Sequence, residues 1–212
     1  VKYESTDYLI TSISGINNYV TTIKFAEDSA VKTIHRLFFN FSKVKEIYFP
    51  PSLNELKEGW CCNLNKLKKI EISSSNDQFA FKDGKCLFGK RDPSNNNEFY
   101  TLFFARHNIV EICIPPSIKI ISSFAFFECK KLTKVEFPKN SNLHKIGKFA
   151  FAYSSIEEVF IPSTVSKICE YAFYKCQNLI KVEIPQNSNL QAIEKRVFSK
   201  TKIEEIFIPS TV

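Results

Sequence analysis

Residues 112–138 read ICIPPSIKIISSFAFFECKKLTKVEFP, and the pattern of this stretch recurs along the whole chain. Its opening is repeated as IYFPPSL (47–53), VFIPSTV (159–165) and IFIPSTV (206–212). The first apolar residue of each copy falls at Ile23, Ile47, Ile70, Ile112, Val135, Val159, Val182 and Ile206. Successive steps are 24, 23, 42, 23, 24, 23 and 24 residues, which indicates about eight units of 23–24 residues, one of them with an insertion.

The interior of each unit repeats as well. An apolar-x-apolar strand ends at a proline, and an Ala-Phe segment follows, as in Phe124-Ala125-Phe126 and Tyr171-Ala172-Phe173. One unit cannot bury its own apolar face, so neighbouring units must stack and share a core. The sequence therefore predicts an α/β repeat solenoid over residues 1–212, a right-handed stack. It has a parallel β-sheet on one face and short helical or 3₁₀ turns on the other.

Residues 73–108 hold the insertion. Two apolar runs flank Asp83-Gly84, a dipeptide typical of tight hairpin turns. We expect this segment to leave the regular stack as a hairpin, with residues 91–98 (RDPSNNNE) as its mobile tip.

The pattern resembles the BspA-like leucine-rich-repeat family, in which Ile and Phe often replace Leu. The likeness is carried by the following residues and their counterparts in 159–179: Ile112, Ile114, Pro115, Ser117, Ile118, Ile121, Ala125, Phe126, Cys129 and Leu132. In the insertion it is carried by Asn76, Phe79, Asp83, Gly84, Leu87, Phe88, Leu102, Phe103 and Phe104. The resemblance implies a cell-surface or secreted protein that adheres to host proteins, such as extracellular-matrix or plasma proteins, or to other cells.

Composition narrows the function further. The chain has 212 residues, a net charge of +7 and seven cysteines without a Cys-x-x-Cys pair. Phosphate-loop, nucleophile-elbow and zinc-protease motifs are missing from the sequence. We expect no enzymatic activity, no cofactor, no metal and no nucleic-acid partner. Neither a signal peptide nor a membrane span can be read in the sequence, and Val1 suggests a piece of a longer protein.

The cysteines and one sequon allow local predictions. Cys129 and Cys176 occupy the same position two units apart, roughly 10 Å at the usual strand spacing. A disulfide needs Cα atoms within about 7 Å, so we expect both thiols to be free and buried in a core ladder. Cys113 and Cys169 are expected to point outward, and Asn40-Phe41-Ser42 could carry a glycan.

The sheet face is the predicted protein-binding site. Strand alternation sends the residues between the buried ones outward, in two columns of side chains. One column holds Glu111, Lys134, Glu158, Lys181 and Glu205, with alternating charge. The other holds Tyr48, Glu71, Cys113, Glu136, Phe160, Glu183 and Phe207, with aromatic residues between acids. The charged column could serve only to fix the stacking, whereas aromatic residues ringed by polar groups are typical of protein-binding surfaces.

Two alternatives remain open. The same scaffold could serve protein interactions inside the cell. A basic edge of Lys66, Lys68, Lys69, Lys130 and Lys131 could bind a sulfated glycan or another polyanion. Because Val212 follows directly after a strand and its turn, we also expect either further repeats or end-to-end association of the chain.

Overall fold

The computed structural model describes residues 19–36, 38–39, 43–62, 64–90, 99–210 and 212. They form a β-solenoid of about seven turns with two rows of strands. The row that we call the sheet face consists of β1 (Thr22–Lys24), β3 (Glu46–Phe49), β5 (Lys69–Ile72), β9 (Glu111–Cys113), β11 (Lys134–Glu136), β13 (Glu158–Phe160) and β15 (Lys181–Glu183). The short-strand face consists of β2 (Thr33–Ile34), β4 (Glu55–Leu56), β10 (Ile120–Ile121), β12 (Lys145–Ile146), β14 (Lys167–Ile168) and β16 (Ala192–Ile193).

The sheet face has the predicted parallel register. Ile23 pairs with Ile47 and Ile47 with Ile70, while Val159 pairs with Val182. The strands of this face form two separate parallel sheets, β1-β3-β5 and β9-β11-β13-β15. The insertion after β5 separates them.

The eighth predicted strand, at Ile206, does not form among the described residues. The amide of Lys202 still donates to the carbonyl of Leu179 at 2.9 Å, as expected for a following unit. Beyond it, no described backbone hydrogen bond joins residues 203–208 to β15. The structure therefore has seven sheet-face strands where the sequence indicated eight.

The Ala-Phe segments form a row of turns and contain no helix in the described parts of the chain, so the predicted helical or 3₁₀ turns are wrong. The reason lies in the direction of alternate amides. In one unit the amides of Phe124, Phe126 and Glu128 donate to the next unit, at Lys148, Ala150 and Ala152, over 2.7–3.0 Å. Only the amides between them bond within the unit, whereas a helix requires every successive amide to do so.

This turn row bends the backbone in a repeated way. Two residues per unit, four positions apart, have left-handed φ values between 53° and 64°: Phe124, Glu128, Phe149, Tyr153, Tyr171, Lys175, Arg196 and Lys200. Non-glycine residues adopt this conformation at a cost. The same pair of bends in four consecutive units shows that it is a property of the repeat.

The insertion forms three further strands: β6 (Phe79–Lys82), β7 (Cys86–Gly89) and β8 (Thr101–Ala105). The antiparallel hairpin and its Asp83-Gly84 turn are confirmed, with φ values of 54° and 58°. The expectation that this hairpin leaves the stack is wrong. β8 pairs parallel with β10, and every residue of β7 and β8 is buried. The predicted tip, residues 91–98, lies outside the described residues.

The hairpin joins two hydrophobic cores. Cys86 and Phe88 of β7 pack in the core of the C-terminal units, whereas Leu87 between them packs in the core of the N-terminal units. Side chains alternate across a strand, so a strand with apolar residues at every position can be buried on both faces. The apolar runs CLF and TLFFA therefore place the insertion between the two cores.

Stacked phenylalanines form the centre of the C-terminal core. The Phe151 ring lies 4.8 Å from that of Phe126 and 5.1 Å from that of Phe173, nearly parallel to both. All three side chains are fully buried. The predicted ladder of equivalent residues is confirmed here.

Replacing Phe151 with Ala should remove the middle ring of this stack and lower the free energy of unfolding by about 3–5 kcal/mol. Phe160→Ala is the matched control. Its ring is 49% exposed, so its loss should change stability by no more than about 0.5 kcal/mol. Urea unfolding of both variants measures the difference, and equal effects would contradict the stacking described here.

Candidate functional site

The strands β9, β11, β13 and β15 place the predicted charged column in register. Lys134 lies between Glu111 and Glu158, and Glu158 lies beside Lys181. All four side chains are exposed. The alternation of charge across neighbouring strands is therefore confirmed for these four positions.

The closest ion pairs run along the strands, from one column to the other. Lys134 pairs with Glu136, and Lys181 pairs with Glu183. The hydrogen bond that Lys134 donates to Glu136 raises the pKa of Lys134, and the charge of Glu111 on the neighbouring strand raises it to a lesser extent. Charges are thus matched within β11 and within β15.

Exposed apolar side chains lie among the polar side chains of this face. Phe160 is 49% exposed on β13, and a shallow concavity of about 420 Å³ lies beside it. Its walls include Thr133, Lys134, Glu158 and Lys181. An aromatic ring at the edge of such a concavity, ringed by polar groups, offers a protein partner an apolar contact.

Two further apolar residues on this face were missed by sequence reasoning. Val110 and Ile180 are each 55% exposed and directly precede β9 and β15. Both positions lie in a single column, because Thr133 bonds to Val110 and Ile180 bonds to Glu157. The signal was present, since Thr and Glu occupy the equivalent positions and mark them as exposed.

Four predicted site residues lie apart from this group. Tyr48 is half-buried on the separate sheet of β3, and its hydroxyl donates to Glu27. Glu71 lies on the same sheet, where its ion pair with Lys69 lowers its pKa. Cys113 and Glu136 remain neighbours on β9 and β11. Glu205 and Phe207 are exposed but follow the last strand.

The predicted basic edge is exposed throughout, at Lys66, Lys68, Lys69, Lys130 and Lys131. Lys66 and Lys130 come from units separated by the insertion, yet both lie close enough to His107 to lower its pKa. Lys69 is engaged by Glu71. The structure thus brings part of the edge together and leaves one lysine paired.

The thiols largely follow the prediction. Cys113 is exposed, and Cys129 and Cys176 are free and fully buried, as expected. Burial raises the pKa of Cys176 to about 11 and that of Cys129 further. The outward orientation predicted for Cys169 is wrong. This residue is 6% exposed because it lies at the corner after β14, between the equivalent corners of neighbouring units.

The described ranges contain no group of three His, Cys, Asp or Glu side chains that could hold a metal ion. They also contain no helix with the length and apolar character needed to cross a membrane. The Asn40 sequon lies outside the described residues.

Residues 11–87 and 97–212 match the BspA type leucine rich repeat region in six copies. The chain belongs to this family. Residues 88–96, which the BspA-type match leaves out, lie inside the insertion. A search of curated proteins finds no match.

Solved structures of leucine-rich-repeat proteins share the fold. A leucine rich cell surface protein from Faecalibacterium prausnitzii superposes over 89% of this chain, with a TM-score of 0.61 and 15% identity. A leucine-rich repeat protein from Bacteroides ovatus superposes over 90% of this chain, with a TM-score of 0.53 and 22% identity. The pneumococcal vaccine antigen PcpA superposes over 81% of this chain, with a TM-score of 0.54 and 22% identity. This BspA-type chain spans 61%, 52% and 49% of those chains, respectively.

Labelling of the native protein with a thiol reagent should modify Cys113 first, since its side chain is exposed. Cys129 and Cys176 should react only after unfolding, because burial blocks access and raises their pKa. Mass spectrometry of peptides from native and urea-treated protein checks the order. Rapid native labelling of Cys129 would contradict the core ladder.

Stability should fall as pH drops below about 6.5, the ordinary pKa of histidine. Burial lowers the pKa of His107, so the folded state favours its neutral form. The unfolded chain binds the proton more readily, and the stabilisation present above the ordinary pKa is lost as pH falls. Urea midpoints at pH 7.5 and 5.5 should differ less in His107→Gln than in the native protein. His144→Gln, at an exposed position, is the control, and an unchanged difference in His107→Gln would refute the assignment.

Proposed function

We propose that this chain is a non-enzymatic protein-binding module and that β9, β11, β13 and β15 present its binding face. The observation that carries the proposal is the exposure of Val110, Phe160 and Ile180 on a polar surface that also carries the ion pairs Lys134–Glu136 and Lys181–Glu183. Apolar and aromatic side chains that remain exposed on a rigid face are typical contacts for a partner.

The biological setting that we propose is adhesion at the cell surface or after secretion, to host proteins or to other cells. The BspA-type repeats and the description of one structural neighbour as a cell surface protein support this setting. An intracellular interaction scaffold with the same face is the alternative, and the sequence of the full-length gene distinguishes the two by its targeting segments.

A polyanion such as a sulfated glycan is the second candidate ligand. Lys66, Lys68, Lys130 and Lys131 are exposed and form no salt bridge with any residue that the structure describes. Binding through these lysines would weaken steeply as salt rises, because salt screens exposed charges.

Binding to a panel of immobilised extracellular-matrix and plasma proteins, with heparin included, tests both candidates. For a protein ligand we expect Phe160→Ala to weaken binding about tenfold or more, since interface aromatic residues commonly contribute over 1 kcal/mol. Lys119 is exposed and lies outside both the proposed binding face and the basic edge. Lys119→Ala should therefore leave binding unchanged.

A different pattern would favour the glycan. Heparin binding that is lost in a Lys130→Ala/Lys131→Ala double variant and unaffected by Phe160→Ala would replace the sheet face with the basic edge. Absence of binding to every panel member would count against adhesion to this class of host protein.

A further inference from the structure

Inside the short-strand face, the edge of β4 that points toward the following unit has no partner among the described strands. In the regular units, carbonyls two residues apart accept hydrogen bonds from the following unit. Those of Lys119 and Ile121, for example, accept from Lys145 at 3.2 Å and Gly147 at 2.9 Å. The equivalent carbonyls of β4 belong to Asn54 and Leu56, and no described residue donates to either.

The insertion leaves this edge open. The side-chain amide of Asn76 donates to the carbonyls of Pro50 and Leu53, each at 2.8 Å, and so keeps the third unit against the second. Directly afterwards the chain turns into β6, which pairs with β7 and not with β4. β4 is therefore hydrogen-bonded only to β2 among the described strands.

A groove of about 710 Å³ lies along the open edge, within the usual size range of ligand sites. Five consecutive residues, 54–58, form one wall, and Gln78 and Lys90 contribute to the lining from the insertion. β8, β10 and β12 supply further lining residues, among them Ser122 and Lys145. A wall of consecutive residues presents backbone as well as side chains to an occupant.

Most charges of the groove already have partners within the chain. Glu55 forms an ion pair with Lys57, and Glu58 accepts a hydrogen bond from Ser123 at 2.9 Å. The ammonium group of Lys90 lies 3.3 Å from a carboxylate oxygen of Asp77.

Two polar groups of the groove lack such partners. Lys145 forms no salt bridge with any described residue. The hydroxyl of Thr101, a lining residue that is 1% exposed, has no hydrogen-bond partner in the described structure. Buried polar groups are usually hydrogen-bonded. The groove thus combines the open edge of β4, a lysine without a salt bridge and a hydroxyl without a hydrogen-bond partner among the described residues.

We propose that this groove binds an extended peptide segment of a partner protein, which adds as a parallel strand to β4 and places an acidic side chain near Lys145. The peptide would donate amides to the carbonyls of Asn54 and Leu56, as each following unit does elsewhere in the stack. Strand addition takes affinity from such backbone bonds and specificity from alternate side chains. The site is separate from the proposed binding face, which consists of β9, β11, β13 and β15.

Selection of a random ten-residue peptide library on the intact chain tests the proposal. An enriched sequence, made as a synthetic peptide, should bind the native protein and shift the NMR signal of the Leu56 amide. Ser122→Trp should abolish binding by filling the groove, and no hydrogen bond joins the side chain of Ser122 to another described residue. Lys145→Glu should weaken binding about tenfold by reversing the unmatched charge.

Lys139→Glu is the matched control, because it makes the same change of charge at an exposed lysine outside the groove and outside both surfaces proposed above. It should bind within about twofold of the native protein, as expected for an exposed charge remote from the site. If Ser122→Trp fails to fold, Lys145→Glu and the Leu56 signal decide the result. The proposal is wrong if no peptide is enriched, or if enriched peptides bind Lys145→Glu normally. It is also wrong if they lose binding in Phe160→Ala, which would assign them to the sheet face.

Discussion

Hydrogen bonds between neighbouring units are the interaction on which the rest of this structure depends. Both strand rows and the turn row direct part of their backbone groups to the next unit, and no unit can satisfy these groups alone. In the turn row this requirement holds bulky residues such as Phe124 and Tyr171 in left-handed backbone conformations. Such conformations cost about 1–3 kcal/mol each and persist only where the surroundings fix them. The stacked rings of Phe126, Phe151 and Phe173 provide those surroundings.

The same dependence explains why one insertion changes both faces. After Asn76 the chain enters the hairpin of the insertion, so neither β4 nor β5 has a strand of the following unit as its partner. The hairpin then fills the space between the two cores with β7 and β8, so the core continues where the strand rows do not. The division of the sheet face and the groove beside β4 both result from the insertion. The strands of the proposed binding face follow the insertion and form one uninterrupted sheet.

Sequence reasoning succeeded where one residue pattern decides the outcome. The apolar-x-apolar starts gave the parallel register, and equivalent positions gave the buried cysteines. It failed where the outcome depends on a neighbouring unit. Ala-Phe segments were expected to be helical because the direction of alternate amides cannot be read from one unit. The hairpin was expected to leave the stack because Asp83-Gly84 indicates a turn and not its surroundings. Val110 and Ile180 were not among the predicted surface residues, although Thr133 and Glu157 mark that column as exposed.

Native-state hydrogen exchange measures the central claim most directly. The amides of Phe126, Phe151 and Phe173 donate to the next unit over 2.7–3.0 Å, so they should open only when neighbouring units separate. We expect their opening free energies to match those of the strand amides at Val135 and Val159, which depend on the same stacking. Exchange of the three turn-row amides many-fold faster than that of the strand amides would show that the turns open independently. That result would contradict the account of a stack held together by bonds between units.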